Sequence, residues 1–284
     1  MRIFNIVAKR VLRLLPSFIR FQLVLFIWKM RPRGKRTVHV MGKQFQVSQL
    51  PFWSNFDGGW EPDTLKIFQK YLHHGRSFID VGAFVGPTIL YATVAGATKI
   101  DAIEADPFAF HQLELNCDYN KESLPPTNLH YLCIANKDGE KALMAADTPS
   151  SSGSSTVRHE TALFQWQVKT ICLTTFFKKI GFEGKGLVKI DIEGAESLIL
   201  DDIQKIGNLK QTAVVLSLHP SFWSDKKQVT ENIIRMTQSF DLFDIHGESL
   251  SPATLENMIL TKEELPSWGT KWGNFFEIVL ESKE

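Results

Sequence analysis

The stretch from Ser77 to Pro107, SFIDVGAFVGPTILYATVAGATKIDAIEADP, restricts the possible folds more than any other part of the chain. Ser77 to Val81 is a short apolar run stopped at once by glycine, the pattern of a buried strand. Gly82-Ala83-Phe84-Val85-Gly86 makes a tight turn, and Pro87 follows where the first turn of a helix tolerates a missing N–H. Thr88 to Ala95 reads as that helix, Gly96 ends it, and Lys99 to Ile103 reads as a second strand. Glu104 closes this strand, eighteen residues after Gly86. Strand, glycine turn, helix, strand and acid together form one nucleoside-binding half of an open parallel sheet.

The spacing also constrains the nucleoside. A dinucleotide site needs G-x-G-x-x-G, so that backbone N–H groups can hold a pyrophosphate at the helix N-terminus. Here Ala83 follows Gly82, the next glycine is Gly86, and Asp80 stands at the end of the first strand. A carboxylate there repels phosphate and suits an ammonium group. The ligand that fits is S-adenosylmethionine, a nucleoside with an amino-acid tail and no phosphate. Asp80 is then placed at the ammonium end, and Glu104 accepts from the ribose hydroxyls. Gly82 and Gly86 let the backbone approach the tail, because no Cβ stands in the way, and Ala83 between them is a further cofactor-binding candidate. A nicotinamide-dependent oxidoreductase is disfavoured on the same grounds, and an inactive binding protein of this fold is disfavoured by the retained carboxylates.

The chain of 284 residues holds one large α/β domain plus an appendage. Its three cysteines, Cys117, Cys133 and Cys172, lack metal-ligand spacing, which favours a reducing, cytoplasmic compartment over a disulfide scaffold. The net charge of +1 hides a split. Ten of the 32 basic residues lie between Arg2 and Arg36, and the first acid is Asp57. From residue 37 onward 22 basic residues face 31 acids, a balance of −9 that argues against nucleic acid as a partner.

Residues 1–36 read as a basic arm. Residues 1–30 have the spacing of an amphipathic helix, with Arg2, Lys9, Arg13 and Arg20 on one side and Val7, Val11, Leu14, Phe18 and Leu25 opposite. Pro16 divides it in two. The longest uncharged run, Phe21 to Trp28, is eight residues and too short to span a bilayer. The arm either lies peripherally on a membrane or packs its apolar stripe on the domain. Residues 37–75 read as a hairpin around Gly42, an aromatic turn containing Trp60 and Glu61, and a helix from Thr64 to His73. Trp60 and Glu61 belong either to the core or to a cover over the ligand.

Residues 76–284 form the catalytic domain on this reading. Pro107 to Asn120 is a helix, and Asn128 to Ile134 a third strand, with Ala135 and Asn136 where the adenine edge is read. Thr148 to Thr156 is either a solvated loop or a lid. Gly186-Leu-Val-Lys-Ile-Asp191-Ile-Glu193-Gly194-Ala-Glu196 is a strand ending in acids, followed by a helix from Ala195 to Asp201. Ala213 to Leu218 is another strand and ends at His219. Ligands in such sheets bind at the carboxyl ends of strands, so Asp191, Glu193 and His219 share one edge. The segment Gly247 to Gly273, with Trp268 and Trp272, is a candidate wall of the acceptor pocket.

FIDVGAFVG, AIEADP, VKIDIEGAE and LSLHP together resemble the FkbM-type S-adenosylmethionine-dependent methyltransferases, over roughly Trp60 to Leu280. The resemblance implies a class I methyltransferase, a Rossmann-like open sheet of seven strands, mostly parallel with the last antiparallel. It implies O-methylation of sugar, glycan or related alcohol hydroxyls. Asp80, Gly82, Gly86 and Glu104 match the family's cofactor positions, and Asp191, Glu193 and Glu196 match its DxEGxE motif. The family commonly has Asn where this chain has Phe84. Two mechanisms follow: His219 as general base with Asp191 orienting it or the acceptor, or a divalent cation on Asp191, Glu193 and His219.

Overall fold

A computed structural model of the chain describes residues 15–30, 34–56, 59–73, 75–146, 156, 164–260 and 276–283. A helix, α1 (Ser17–Met30), precedes a hairpin, β1 (Lys35–Val40) and β2 (Lys43–Ser48), which turns at Met41-Gly42 with both residues at positive φ. After one turn at Trp53–Phe56 come α2 (Pro62–Leu72), β3 (Ser77–Val81), α3 (Pro87–Ala95) and β4 (Lys99–Glu104). The chain continues through α4 (Pro107–Tyr119), β5 (Thr127–Tyr131), β6 (Cys133–Ile134), β7 (Lys141–Ala146) and β8 (Phe164–Ile171). It closes with α5 (Leu173–Ile180), β9 (Gly186–Ile190), α6 (Leu200–Ile206), β10 (Thr212–Leu218), α7 (Lys226–Arg235), β11 (Phe240–Asp244), α8 (Pro252–Leu260) and β12 (Phe276–Ser282).

Seven strands form the central sheet in the order β11-β12-β10-β9-β3-β4-β5. The run β10-β9-β3-β4-β5 is parallel, and β12 lies antiparallel between β10 and β11. This is the class I methyltransferase sheet that the resemblance implies. Strands β9 and β10 are buried along their whole length, as parallel strands covered on both faces must be. On one face Phe78 and Ile100 pack in one core with Phe68 of α2 and Ile89 of α3. On the other Val188, Ile190 and Leu216 pack in a second core with Phe176 of α5, Ile203 of α6 and Ile233 of α7.

Four expectations are corrected. The third strand does not run through to Ile134: Leu132 N bonds back to His130 O, and β6 leaves the central sheet to pair with β8. The sequence reading has no counterpart to β7, which completes this small second sheet. The helix after DIEG begins as a single 3-10 turn, Ala195–Leu198, and resumes as α6 beyond Ile199. Finally, α1 is apolar all round: Phe21 is buried and Val24, Leu25 and Trp28 pack on the domain, while Phe18, Ile19 and Phe26 are exposed. Phe18 and Leu25, placed on one stripe by the sequence, differ in burial: Leu25 packs on the domain and Phe18 is exposed. Among the described residues no helix is long and apolar enough to cross a membrane.

Candidate active site

The parallel register puts the carboxyl ends of β3, β4, β9 and β10 side by side, and a cavity opens there. Its walls are of two kinds. Ile103, Ala105, Leu132, Cys133, Ile134 and Met144 make an apolar slot, and Glu104, Asp191 and Glu193 an acidic rim. No Lys or Arg is among the described residues that line it, so it is built for a nucleoside with a cationic tail and not for a pyrophosphate. The apolar slot and the acidic rim fit S-adenosylmethionine.

Glu104 is held from both sides: Phe84 N–H donates to Oε2 at 2.7 Å and Asp106 N–H to Oε1 at 2.6 Å. Burial, with the charge of Asp106, still pushes its carboxyl up to about 8. Asp80 is completely buried behind the wall. Thr88 donates its hydroxyl to Oδ2, while Oδ1 is a buried acceptor with no hydrogen-bond partner among the described residues. Burial raises its carboxyl to about 6. Asp80 thus stands one layer behind the cavity lining, not on it.

Close packing gives both glycines a reason of their own beside the one expected. A Cβ on Gly82 would stand 1.9 Å from the carbonyl oxygen of Asp191, whose N–H in turn bonds to Val81 O at 2.9 Å. Gly82 therefore lets β3 and β9 close on each other at the floor of the pocket, with φ at +90°. A Cβ on Gly86 would meet Leu113 at 2.8 Å, so this glycine seats α3 against α4 and does not line the cavity. Ala83 is buried beside it. Ala135 and Asn136 also lie outside the lining: because the chain turns at Leu132, the wall is Leu132 to Ile134, just short of the expected pair. Of the segment Thr148 to Thr156 only Thr156 is described, and it lines the pocket; Trp268 and Trp272 lie outside the described residues.

His219, buried at the end of β10, is brought together with the acids as the sequence suggests. Its Nδ1 lies 2.9 Å from Glu196 Oε1, and because a carboxylate only accepts, Nδ1 carries a proton. Nε2 faces Asp191 Oδ1 at 3.7 Å and Glu193 Oε2 at 3.8 Å, and the ring stacks on Phe222. Burial alone would lower the pKa, but the bond and charge of Glu196, with Asp191 and Glu193, push it up to about 9. Asp191, Glu196 and His219 each offer a donor atom within 4.8 Å of the others, so a cation set here would use Glu196 where the sequence proposed Glu193. Oε1 of Glu196 already accepts from Ile192 N, Gly194 N and the His219 ring.

Sequence reasoning missed Lys189. It is buried in β9, with Nζ 2.8 Å from Asp191 Oδ2 and 4.0 Å from Glu277 Oε1. Burial opposes its charge, yet Asp191, Glu277, Glu61 and Asp80 together hold it well above the usual lysine range, and it in turn keeps Asp191 below the ordinary carboxylate value. Of the aromatic turn, Trp60 packs with Phe52, Phe56 and Tyr91, whereas burial and the charges of Glu277 and Asp191 raise Glu61 to about 8. Phe84 fills the family's Asn position with a ring edge-on to Phe52, and only its backbone N–H reaches Glu104. Glu61, Phe84 and Glu193 all adopt left-handed backbone angles, a costly conformation for residues with a Cβ and one that gathers at functional sites.

Residues 80–243 match the Methyltransferase FkbM domain. The chain belongs to this family. Within the FkbM family, the matched stretch is its methyltransferase domain. It is 36% identical over 69 residues to the ribosomal protein L11 methyltransferase of Geobacillus thermodenitrificans, covering 23% of this chain and 22% of that one. It is 31% identical over 72 residues to the human electron transfer flavoprotein beta subunit lysine methyltransferase, covering 25% and 28%. The FkbM chain thus spans about a quarter of the length of these curated relatives. Among solved structures it is similar to a TehB-like SAM-dependent methyltransferase from Corynebacterium glutamicum, at 11% identity and a TM-score of 0.42, covering 82% of this chain and 94% of that one.

Proposed function

We propose that this methyltransferase acts on a hydroxyl of a sugar, glycan or glycolipid, with His219 as the general base. The observation that carries this reading is the His219 ring, fixed on Glu196 through Nδ1 and presenting Nε2 to two acids that line the cofactor pocket. Glu104 accepts from the ribose hydroxyls, the buried carboxylate of Asp80 supports the ammonium end, and Leu132 to Ile134 cover the adenine. S-adenosylmethionine, when bound, supplies a methyl group on a sulfonium and leaves as the thioether. A neutral alcohol is a weak nucleophile, so Nε2 takes the hydroxyl proton as the new O–C bond forms. Asp191, kept ionised by Lys189, balances the imidazolium that results. The acidic body, at −9, supports a glycan acceptor over a nucleic acid.

Because the His219 pKa is raised, to about 9, the ring is protonated at neutral pH and must lose that proton before it can act. Turnover is expected to climb from pH 7 toward 9. His219→Ala is expected to lower kcat by about 10²–10⁴-fold with cofactor affinity unchanged. The measurement is transfer of labelled methyl to a glycan and glycolipid panel, with the modified atom identified. A near-wild-type rate for His219→Ala sinks the base assignment. So does activity lost to a chelator and restored by magnesium or manganese. Label found only on nitrogen or sulfur sinks the hydroxyl acceptor.

A further inference from the structure

Helix α1 has two apolar faces and one is already in use. Phe21 stacks on Trp166 with ring centroids 5.8 Å apart and meets the edge of Phe108, and Trp28 donates its indole N–H to Phe108 O at 3.2 Å. Trp166 in turn donates to the carbonyl of Ala105, a residue of the cofactor pocket wall, at 2.8 Å. The inner face therefore ties α1 rigidly to the sheet edge that forms the apolar slot.

The outer face carries Phe18, Ile19, Leu23, Phe26, Ile27 and Met30, each between 43% and 69% exposed. At roughly 100° per residue these six fall within one half of the helix surface, with Gln22 among them, while Phe21, Val24 and Trp28 lie on the other half and Leu25 at the boundary beside Phe18. Arg20 and Lys29 fall at its two edges. Side chains there can keep their charge in water while their stems lie along apolar surface. No acid occurs before Asp57, and ten basic residues lie between Arg2 and Arg36, while the rest of the chain is net acidic. Large apolar side chains over half a helix, basic residues at both edges and a wholly cationic flank match a helix lying in the plane of an anionic bilayer.

We propose that the outer face of α1 docks on the surface of an anionic lipid bilayer and holds the cofactor pocket beside it. The charge asymmetry selects this occupant: a second copy of the chain would bring the same cationic flank against its own, whereas phosphate headgroups neutralise it. Helix α1 lies flat at the interface, and its fourteen residues are too few to span a bilayer.

The test uses full-length protein, a Phe18→Ser/Phe26→Ser double variant and Lys29→Glu. Both phenylalanines are more than half exposed, so the double variant keeps the inner-face contacts. Each protein is sedimented with vesicles of phosphatidylcholine alone and with added phosphatidylglycerol, and light scattering without lipid reads its mass. Calorimetry with S-adenosylhomocysteine checks the pocket separately, so a failure of the methyltransferase reading appears as lost cofactor heat whatever the vesicles show. The wild-type protein is expected to pellet with anionic vesicles, less so at high salt, and the double variant to partition at least about tenfold more weakly with unchanged cofactor heat. Lys29→Glu is expected to weaken binding to anionic vesicles without abolishing it, because nine other basic residues remain between Arg2 and Arg36. Equal pelleting of wild type and double variant overturns the proposal. So does wild-type protein left in the supernatant, whether as a monomer whose face is covered by its own chain or as a dimer that Phe18→Ser/Phe26→Ser dissociates.

Discussion

Glu104 shows how much one residue's role can be read before the fold is known. Its place at the end of the second strand, after a glycine turn, makes it the candidate ribose acceptor of the proposed reading, and the structure puts it on the cavity wall. Its chemistry is not legible in the same way. The carboxyl is pushed up to about 8 because β4 buries it and Asp106 stands two residues on. The ionised form is the one that accepts from two hydroxyls, so cofactor binding has to draw off a proton below that pKa. Affinity for S-adenosylhomocysteine is expected to rise from pH 6 to 8 and flatten above, as read by calorimetry. Glu104→Ala is expected to weaken binding by about 1.5–3 kcal/mol and to remove this slope; a slope that survives the substitution belongs to another group. Asp80 was legible as a strand-end acid, but its pairing with the Thr88 hydroxyl and its seat behind the wall depend on α3 folding back over β3. Lys189 was not legible, because one lysine in an apolar run looks like a solvated interruption. Only the register that sets it beside Asp80 shows that it faces inward.

At the scale of elements, the strands that carry local punctuation are the ones the sequence places well. Glycine or an acid closes β3, β4 and β9, and the structure ends them within a residue of those marks. The third strand has no such mark, and its division at Leu132 follows from pairing with β8, more than thirty residues away. That non-local partner also puts Leu132–Ile134, and not Ala135 and Asn136, on the cavity wall. The turn glycines repeat the lesson: the motif names Gly82, but the reason for it lies on β9. Alanine at Gly82 must displace the Asp191 carbonyl, which is backbone and belongs to the catalytic edge. Gly42, in the hairpin turn, has similar left-handed geometry with nothing within 4 Å of a built Cβ. Gly42→Ala is expected to cost only the conformational strain, about 1 kcal/mol. Gly82→Ala is expected to cost at least ~3 kcal/mol and to abolish cofactor binding. Urea unfolding midpoints of the two variants measure the difference, and equal losses would remove the close-approach explanation.

Across the whole molecule, one buried cation serves acids from several elements. Lys189 on β9 lies between Asp80 on β3 and Asp191, with Glu277 on β12 and Glu61 at the start of α2 completing the set. Ser217 and Thr64 donate to the two oxygens of Glu277 at 3.0 Å, so this carboxylate is tied to both β10 and α2. Such a network is costly to break from one side, since removing the partner of buried charges costs about 3–5 kcal/mol. Its pH dependence has a definite sign. Asp80 and Glu61 have folded-state values raised to about 6 and 8, so their contribution to stability is present at low pH and lost as pH rises through those values. Lysine matters most where these acids are ionised. Lys189→Met is therefore expected to destabilise the protein by about 3–5 kcal/mol at pH 8 and by clearly less at pH 5, where Asp80 and Glu61 are neutral without it. Chemical denaturation at the two pH values decides this. A loss that stays the same or grows on acidification would mean that Lys189 acts by packing alone, and that the acids along this edge of the sheet are balanced by something other than the one lysine they share.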